Sequence, residues 1–485
     1  MHTLVLNDRF PSRRRPTGTR VLLLLLCMPA LAWAGVDAGI ARVERGLRAP
    51  VVLAGAAAPL RTLADEMARL HVPGVSIALI RSGKIAWTRG YGLAYPGGPA
   101  ITPDTLFQAA SISKPVTAMA ALRLAQDGRL DLDAGIDTLL TGWKLPPADG
   151  AVLVTPRRLL SHTAGMGVAG FPGYAANAPV PTLVQVLDGA APANTQPVRV
   201  ETAPGSAWRY SGGGYSVVQQ ALIDHTGQAF DVLLDETVLR PIGMRDSRFA
   251  QPLPASLLPR AALPHDEQGK PIAGGPYTYP ELAAAGLWTT PRDLARFALD
   301  LQRSAGGGKG VLSPQMARTM LTPVKNGYGL GLNVEGKGTA RSFAHGGSNM
   351  GYQNTLFAYA DRGDGAVIMT NGANGAELAN SVLRALAAEY KWPSQHPQVR
   401  KAVALNAAAQ EKLAGRYDIK GLGDFRIARK EGRLMVALRD DSWEPLYAAS
   451  PTRLFVLSRE LDLHMEGDGG RLVSGSFDVR FQRAP

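Results

Sequence analysis

Ser111, Lys114 and Tyr210 are the residues whose types and spacing best suit catalysis in this sequence. Residues 111–114 read Ser-Ile-Ser-Lys, an S-x-x-K motif, and residues three apart share one face of a helix. The amine of Lys114 can therefore reach the hydroxyl of Ser111, which becomes a good nucleophile only when a base takes its proton. Burial and the positive end of the helix dipole disfavour the charged ammonium, so we expect a neutral amine to act as that base.

An S-x-x-K motif alone is a weak signal, because a chain of this length contains roughly one by chance. For the motif alone, a helix cap followed by a surface lysine is the favoured explanation. Its position favours catalysis, since residues 116–122 make the predicted helix apolar on every side. A lysine in such a helix would be buried, and lysines are rarely buried for structural reasons alone.

Two further clusters add candidate groups. Tyr210 stands with Ser211 and Gly212 in a turn-rich segment before a predicted helix, where a phenol can share the serine proton and pass it to a leaving group. An ordinary half-buried tyrosine is the alternative.

The second cluster is His-Gly-Gly-Ser at 345–348, which precedes a strand-like run. Paired glycines on a strand let a substrate backbone lie close to its edge. The N–H groups of Ser348 and Ser111 are then candidate donors to a developing oxyanion. A plain glycine-rich bend is the alternative.

These three elements, in this order, resemble the class C β-lactamase, D-aminopeptidase and esterase family of penicillin-recognising proteins. Leu-Ser-His-Thr-Ala-Gly at 160–165, Gly-Leu-Trp-Thr-Thr at 286–290 and Asp-Leu-Ala-Arg-Phe at 293–297 are similar to later family segments. The resemblance covers residues 63–390. It implies an α/β fold, with an antiparallel sheet flanked by helices and a mostly helical subdomain.

The resemblance also implies roles for individual residues. Ser111 would be the acylated nucleophile, Lys114 and Tyr210 the acid and base, and the Ser111 and Ser348 amides the oxyanion hole. The implied substrate-binding residues are His345, Gly346, Gly347 and Gly212.

The sequence departs from the β-lactamase pattern at two places. Gly212 replaces an asparagine that would hold a substrate amide, and His345-Gly346-Gly347 replaces Lys-Thr-Gly. Histidine is mostly neutral at pH 7, so recognition of a substrate carboxylate is weakened. We therefore expect a serine hydrolase acting on an ester or a D-amino-acid peptide. A β-lactamase or D,D-peptidase is the first alternative, and a non-catalytic cell-wall peptide-binding protein the second.

Other function classes lack their motifs. The sequence has no G-x-S-x-G elbow and no His-Glu-x-x-His, which disfavours an α/β-hydrolase and a zinc hydrolase. We predict no cofactor or metal, and a structural hydrogen-bonding role for His162. Basic residues are scattered, so nucleic acid is not an expected partner. The expected partner is a small ester, peptide or cell-wall fragment, and the oligomeric state is left open.

The elements that must position these groups can be read from periodicity. A hairpin is predicted at 75–80 and 85–91, and a buried helix at 111–127. The remaining predictions are helices at 215–226, 290–302 and 376–390, strands at 328–334, 352–359 and 366–370, and loops at 165–181 and 252–280. Strands from both ends of a domain with helices between them indicate a layered α/β arrangement.

The two ends of the chain differ from this domain. Five arginines precede an apolar run at 21–34 that is shorter than the roughly 20 residues of a membrane span. It ends in Ala-Trp-Ala, so we predict a signal peptide at 1–34, cleavage after Ala34 and export to the periplasm. The hydrolase domain is predicted at 35–392, a linker at 393–412 and a small antiparallel β-barrel at 413–485, where short alternating strands are separated by turns.

Overall fold

The computed structural model describes residues 27–147, 153–438, 442–475 and 477–484, with side chains from residue 35 onward. The chain divides into two compact units, residues 1–42 and 43–485. Helix α1, Cys27–Glu44, contains the predicted cleavage position, whereas residues 1–26 of the predicted signal peptide lie outside the described residues. Among the described helices, none has the length and apolar character needed to cross a membrane.

A six-stranded sheet forms one layer of the larger unit. The strands before the carboxy-terminal region are β1 Val51–Leu53, β2 Gly74–Arg81, β3 Lys84–Gly92, β4 Phe107–Gln108, β5 Trp288–Thr289, β6 Asn333–Glu335, β7 Ser342–Asn349, β8 Tyr352–Tyr359, β9 Gly365–Thr370 and β10 Gln398–Arg400. The sheet order is β3-β2-β9-β8-β7-β6, and every neighbouring pair is antiparallel. Strands from both ends of the domain thus meet in one sheet, as predicted.

Helices cover this sheet and form a second, mostly helical region. They are α2 Leu63–Arg69, α3 Ser113–Gln126, α4 Pro156–Leu160, α5 Leu183–Asp188, α6 Gly212–Thr226, α7 Phe230–Leu234, α8 Arg240–Ile242, α9 Leu282–Ala285, α10 Pro291–Ala305, α11 Pro314–Met320 and α12 Gly375–Tyr390. Helices α10 and α12 pack against the sheet, whereas α3 packs against α9 and α11. Helix α3 is buried along nearly its whole length, which confirms the predicted central helix and the α/β class.

The predicted strand at 328–334 is wrong over most of its length, because β6 begins only at Asn333. Gly327 and Gly331 have φ values of +75° and +90°, which extended chain does not adopt. The chain therefore turns on both sides of Tyr328. The Tyr328 side chain is buried, although its residue does not belong to a strand. Two helices begin at other residues than predicted. Helix α3 begins at Ser113 instead of 111, and α6 begins at Gly212 instead of 215.

The carboxy-terminal region is a nearly closed antiparallel barrel, as predicted. It contains α13 Ala407–Leu413 and the strands β11 Gly415–Ile419, β12 Gly423–Lys430, β13 Arg433–Ala437, β14 Glu444–Pro445, β15 Tyr447–Ser450, β16 Arg453–Phe455, β17 Asp462–Glu466, β18 Gly469–Ser474 and β19 Phe477–Arg483. Their order is β14-β13-β12-β11-β19-β18-β17-β16-β15. The two outermost strands are consecutive in the chain, so the sheet curls almost into a ring. Strand β10 lies within the predicted linker and pairs in parallel with β1.

Candidate active site

Ser111 lies in a tight 3-10 turn, residues 110–112, that leads into α3. Its neighbour Ala110 has a left-handed φ of +53°, a conformation that costs a non-glycine residue about 1 kcal/mol. Ser113 fixes the turn, because its Oγ donates to Ala110 O (2.6 Å) and accepts from the N–H of Leu287 (3.0 Å). The strained turn thus presents the Ser111 hydroxyl in a fixed position.

Lys114 is placed beside Ser111 in an apolar environment. Its side chain is 2% exposed, and Nζ lies 3.0 Å from Ser111 Oγ. A second contact fixes the amine, since Nζ donates to Ala284 O on α9 at 2.9 Å. No described carboxylate forms an ion pair with it. The amine is therefore positioned by one carbonyl and directed at one hydroxyl, which is the arrangement a general base requires.

Tyr210 joins this pair through its ring. Lys114 Nζ lies 4.9 Å from the ring centroid, and the Tyr210 hydroxyl makes no hydrogen bond to a described residue. The segment is held by His162, whose ring is 4.4 Å from the Tyr210 ring and whose Nδ1 accepts the Ser211 N–H at 3.1 Å. The phenol is thus held against the amine with its hydroxyl unengaged.

His162 is a neutral member of this cluster. Burial is the main reason that the pKa of His162 lies well below its usual range. Because Nδ1 accepts a backbone N–H, the ring proton must reside on Nε2, which has no partner among the described residues. His162 therefore acts as a hydrogen-bonding support for the tyrosine segment.

His345 is also neutral and turned inward. Burial is the main reason that the pKa of His345 falls to about 3. Its Nδ1 lies 2.5 Å from Gly346 O and its Nε2 3.0 Å from the Tyr328 hydroxyl. Since a carbonyl can only accept, Nδ1 carries the proton and Nε2 accepts from Tyr328. This histidine cannot supply a cation to a substrate carboxylate near neutral pH.

Strand β7 brings the backbone of residues 346–348 against the nucleophile turn. A Cβ placed on Gly347 would lie 2.1 Å from Ala109 O, so only glycine permits this approach. Strand β6 pairs no further along β7 than Ala344, which leaves the next residues on an open edge. A two-residue connection joins β7 to β8 after Asn349, and the alternation of an antiparallel ladder then directs the Ser348 N–H to that edge.

Gly212 is the remaining residue that the sequence assigns to the site. It is the first residue of α6 and is buried, two positions after Tyr210. Ser211 caps this helix, since its Oγ accepts the Gly214 N–H at 2.9 Å. The three glycines at 212–214 let other parts of the chain approach the helix end closely.

Several residues of the site were missed by the sequence analysis. Tyr328 binds His345 and packs 4.9 Å from the His162 ring, Tyr215 donates to Leu160 O at 2.9 Å, and the Ala284 carbonyl holds the lysine. The one available signal was the set of glycines around Tyr328, which argued against a regular strand. Among the described residues, no group of three or more His, Cys, Asp or Glu side chains could hold a metal ion.

The family model described as Beta-lactamase matches residues 60–390. This chain belongs to the beta-lactamase family. The matched range contains every candidate residue described above, and it ends before the carboxy-terminal barrel.

Curated relatives carry different names within this beta-lactamase family. The chain is 33% identical over 229 residues to esterase EstB of Burkholderia gladioli, which covers 45% of this chain and 57% of the esterase. It is 28% identical over 345 residues to penicillin-binding protein 4 of Amycolatopsis lactamdurans, covering 66% and 86%. The match to the esterase thus spans little more than half of that protein's length.

Solved structures agree on the fold. An octameric penicillin-binding protein homologue from Pyrococcus abyssi has a TM-score of 0.60 at 20% identity, covering 86% of this chain and 98% of its own. A D-amino acid amidase from Ochrobactrum anthropi SV3 has a TM-score of 0.52 at 24% identity, covering 68% and 97%. At these identities the structures support the fold alone.

Proposed function

We propose that this beta-lactamase-family member is a serine hydrolase that forms a covalent acyl-enzyme on Ser111, with an ester as its preferred substrate and a D-amino-acid amide as the second. One observation carries the proposal: the buried Lys114 amine lies 3.0 Å from Ser111 Oγ. A lysine held at this distance in an apolar setting gives the hydroxyl a base that it would lack in water.

The proposed reaction has two stages. Ser111 Oγ attacks the ester carbonyl carbon and its proton passes to Lys114 Nζ, while the backbone N–H groups of Ser111 and Ser348 stabilise the oxyanion. Tyr210 then delivers a proton to the departing alcohol as the carbonyl reforms and the ester C–O bond breaks. The Tyr210 phenolate then takes a proton from a water molecule whose oxygen attacks the acyl carbonyl. Ser111 Oγ leaves with the proton held on Lys114, which releases the carboxylic acid and restores all three residues.

The preference for an ester rests on the state of His345. Because the pKa of His345 is about 3, the residue carries no charge at neutral pH and gives no counter-ion to a carboxylate. β-Lactams and D-alanyl-D-alanine peptides both carry such a carboxylate next to the reacting carbonyl. A simple ester needs no counter-ion, and the esterase of Burkholderia gladioli is a curated relative.

A serine-reactive fluorophosphonate, followed by intact mass measurement, tests the proposal. We expect one adduct per chain on the wild type, loss of the adduct in Ser111→Ala, and retention in Ser206→Ala, a matched change at an exposed serine. Rates on p-nitrophenyl acetate, D-alanine p-nitroanilide and nitrocefin then rank the substrates. Absence of labelling in the folded wild type would favour a non-catalytic binding protein, and dominant nitrocefin turnover would favour a β-lactamase.

We also propose that residues 1–34 form a signal peptide for export to the periplasm, that 35–392 form the hydrolase domain, and that the barrel begins at 413 after a linker at 393–412. Amino-terminal sequencing of protein from the periplasmic fraction tests cleavage, with Gly35 expected as the first residue. A cytoplasmic product that still begins at residue 1 would contradict it.

A further inference from the structure

The space next to Gly212 is already occupied by another part of the chain. A Cβ placed on Gly212 would lie 2.9 Å from Cε2 of Phe171 and 3.2 Å from Ala169 O. A polar side chain at this position, two residues after Tyr210, would have to displace the phenyl ring. The absence of a side chain at 212 is therefore coupled to the presence of an aromatic ring.

The loop that carries Phe171 is fastened to the start of α6. Ala169 O accepts the N–H of Gly212, and Val168 O accepts the N–H of Gly213, both at 3.0 Å. Ser211 Oγ donates to Gly167 O at 2.5 Å. The first N–H groups of the helix, which would otherwise be free to bind a ligand, are thus satisfied by the loop.

The far side of the same loop is held as well. Tyr174 and Thr278 exchange backbone hydrogen bonds at 2.9 and 2.8 Å, and the Tyr279 hydroxyl donates to Pro172 O at 3.3 Å. Phe171 lies between these two attachments and is half-buried, packed against the domain core. Its ring therefore has a fixed place with one part still accessible.

We propose that Phe171 is a specificity-determining residue, which gives the substrate side of the Tyr210–Gly212 segment an apolar wall at the position where a side chain on residue 212 would offer an amide. This proposal rests on the proposed function and names its substrate class: esters with an extended apolar acyl chain. An amide beside Phe171 loses its hydrogen-bond partners, and an unsatisfied polar group in such a place weakens binding. An alkyl chain gains contact with the ring instead.

Two substitutions and their combination test this. Phe171→Ala removes the wall, so we expect the ratio of kcat/KM for p-nitrophenyl hexanoate over p-nitrophenyl acetate to fall about tenfold. Gly212→Asn alone meets the ring and slows both esters. The double variant has room for the amide, and we expect its kcat/KM ratio for D-alanine p-nitroanilide over p-nitrophenyl acetate to rise about tenfold above the wild type.

The controls separate this proposal from the proposed function. Phe477→Ala makes the same change at an exposed phenylalanine of the barrel and should leave both ratios unchanged. Fluorophosphonate labelling of Ser111 should persist in Phe171→Ala and in the double variant. Labelling with an unchanged hexanoate-to-acetate ratio in Phe171→Ala would overturn the proposal alone, whereas no labelling of the wild type would overturn the hydrolase itself. Should Gly212→Asn fail to fold, the single Phe171→Ala comparison still decides.

Discussion

The active-site region and the carboxy-terminal barrel bury different kinds of side chain. The buried residues of the active-site region include Lys114, His162, Glu281 and His345, together with the phenols of Tyr215 and Tyr328. In the described part of the barrel, Asp462 is the one charged residue that is buried, and Arg400 pairs with it. The barrel core is otherwise apolar and aromatic, with the rings of Tyr417, Phe425 and Phe481 within 5.0–5.5 Å of one another.

The difference indicates that the active-site region is less stabilised by its packing than the barrel is. Burying an ionisable group without a charged partner costs free energy, and the site does so repeatedly while also straining Ala110. The barrel has ordinary packing, with charge pairs such as Arg416–Asp424 at its surface. Substitutions at the site should therefore lower activity without lowering stability. Substitutions in the barrel core should lower stability without lowering activity.

The largest expected effect comes from Lys114→Met, which keeps the length of the side chain and removes the amine. The rate of Ser111 acylation should fall about 10³-fold, the range of a lost general base, while the melting temperature stays level or rises because a buried polar group has gone. Labelling kinetics and thermal melts measure both. Lys420→Met, at an exposed barrel position, is the control; retained acylation in Lys114→Met would refute the assignment of the base.

Glu281 should make the stability of the catalytic domain depend on pH. Burial raises the pKa of Glu281 from 4.5 to about 7, opposed only by its own backbone N–H, and neither oxygen bonds another described residue. Between pH 4.5 and 7 the unfolded chain loses this proton while the folded chain keeps it. Stability therefore falls as pH rises through this window, by about 3 kcal/mol in total.

Glu281→Gln should remove this dependence. Urea unfolding at pH 4.5 and pH 8 should show the variant losing about 3 kcal/mol less than the wild type across the interval. Glu267→Gln, at an exposed position, should behave like the wild type. Equal pH dependence in wild type and Glu281→Gln would mean that this carboxyl is solvated in solution.

Gly347→Ala tests whether the close approach of β7 to the nucleophile turn matters. Its Cβ would overlap Ala109 O at 2.1 Å, whereas a Cβ on the neighbouring Gly346 meets nothing nearer than Asn354 O at 3.9 Å. Displacement of the strand by about 1 Å should lower kcat on p-nitrophenyl acetate about 10²-fold. Gly346→Ala should lose less than tenfold. Equal losses in the two variants would contradict the steric argument.

The sequence was informative where neighbours along the chain make the site. Ser111 and Lys114 are one helical turn apart, and His345 lies on the same strand as Gly347, so local patterns sufficed to pair them. The contacts of Lys114 with Ala284 and of Gly212 with Phe171 join residues 170 and 41 positions apart. No local pattern encodes such contacts, which arise only when the loops pack.

Tyr328 shows the same limit from another direction. Its segment contains alternating apolar residues, which favoured a strand, but the glycines on either side adopt left-handed φ values. The turn they create places the tyrosine hydroxyl 3.0 Å from His345 Nε2. Periodicity could not distinguish this inward turn from a strand, because both bury the same side chain.

The smallest expected effect on catalysis comes from the barrel core. Phe481→Ala removes a ring packed edge-on against the stacked rings of Tyr417 and Phe425. It should destabilise the barrel by about 3 kcal/mol or more, while the Ser111 labelling rate changes less than twofold. A point substitution suits this test better than deletion after Pro393, because that deletion would also remove β10 from its pairing with β1. Phe477→Ala, the exposed control, should alter neither quantity. If labelling fell in proportion to barrel unfolding, the barrel would stabilise the active site. The prediction that barrel stability and Ser111 reactivity are independent would then be wrong.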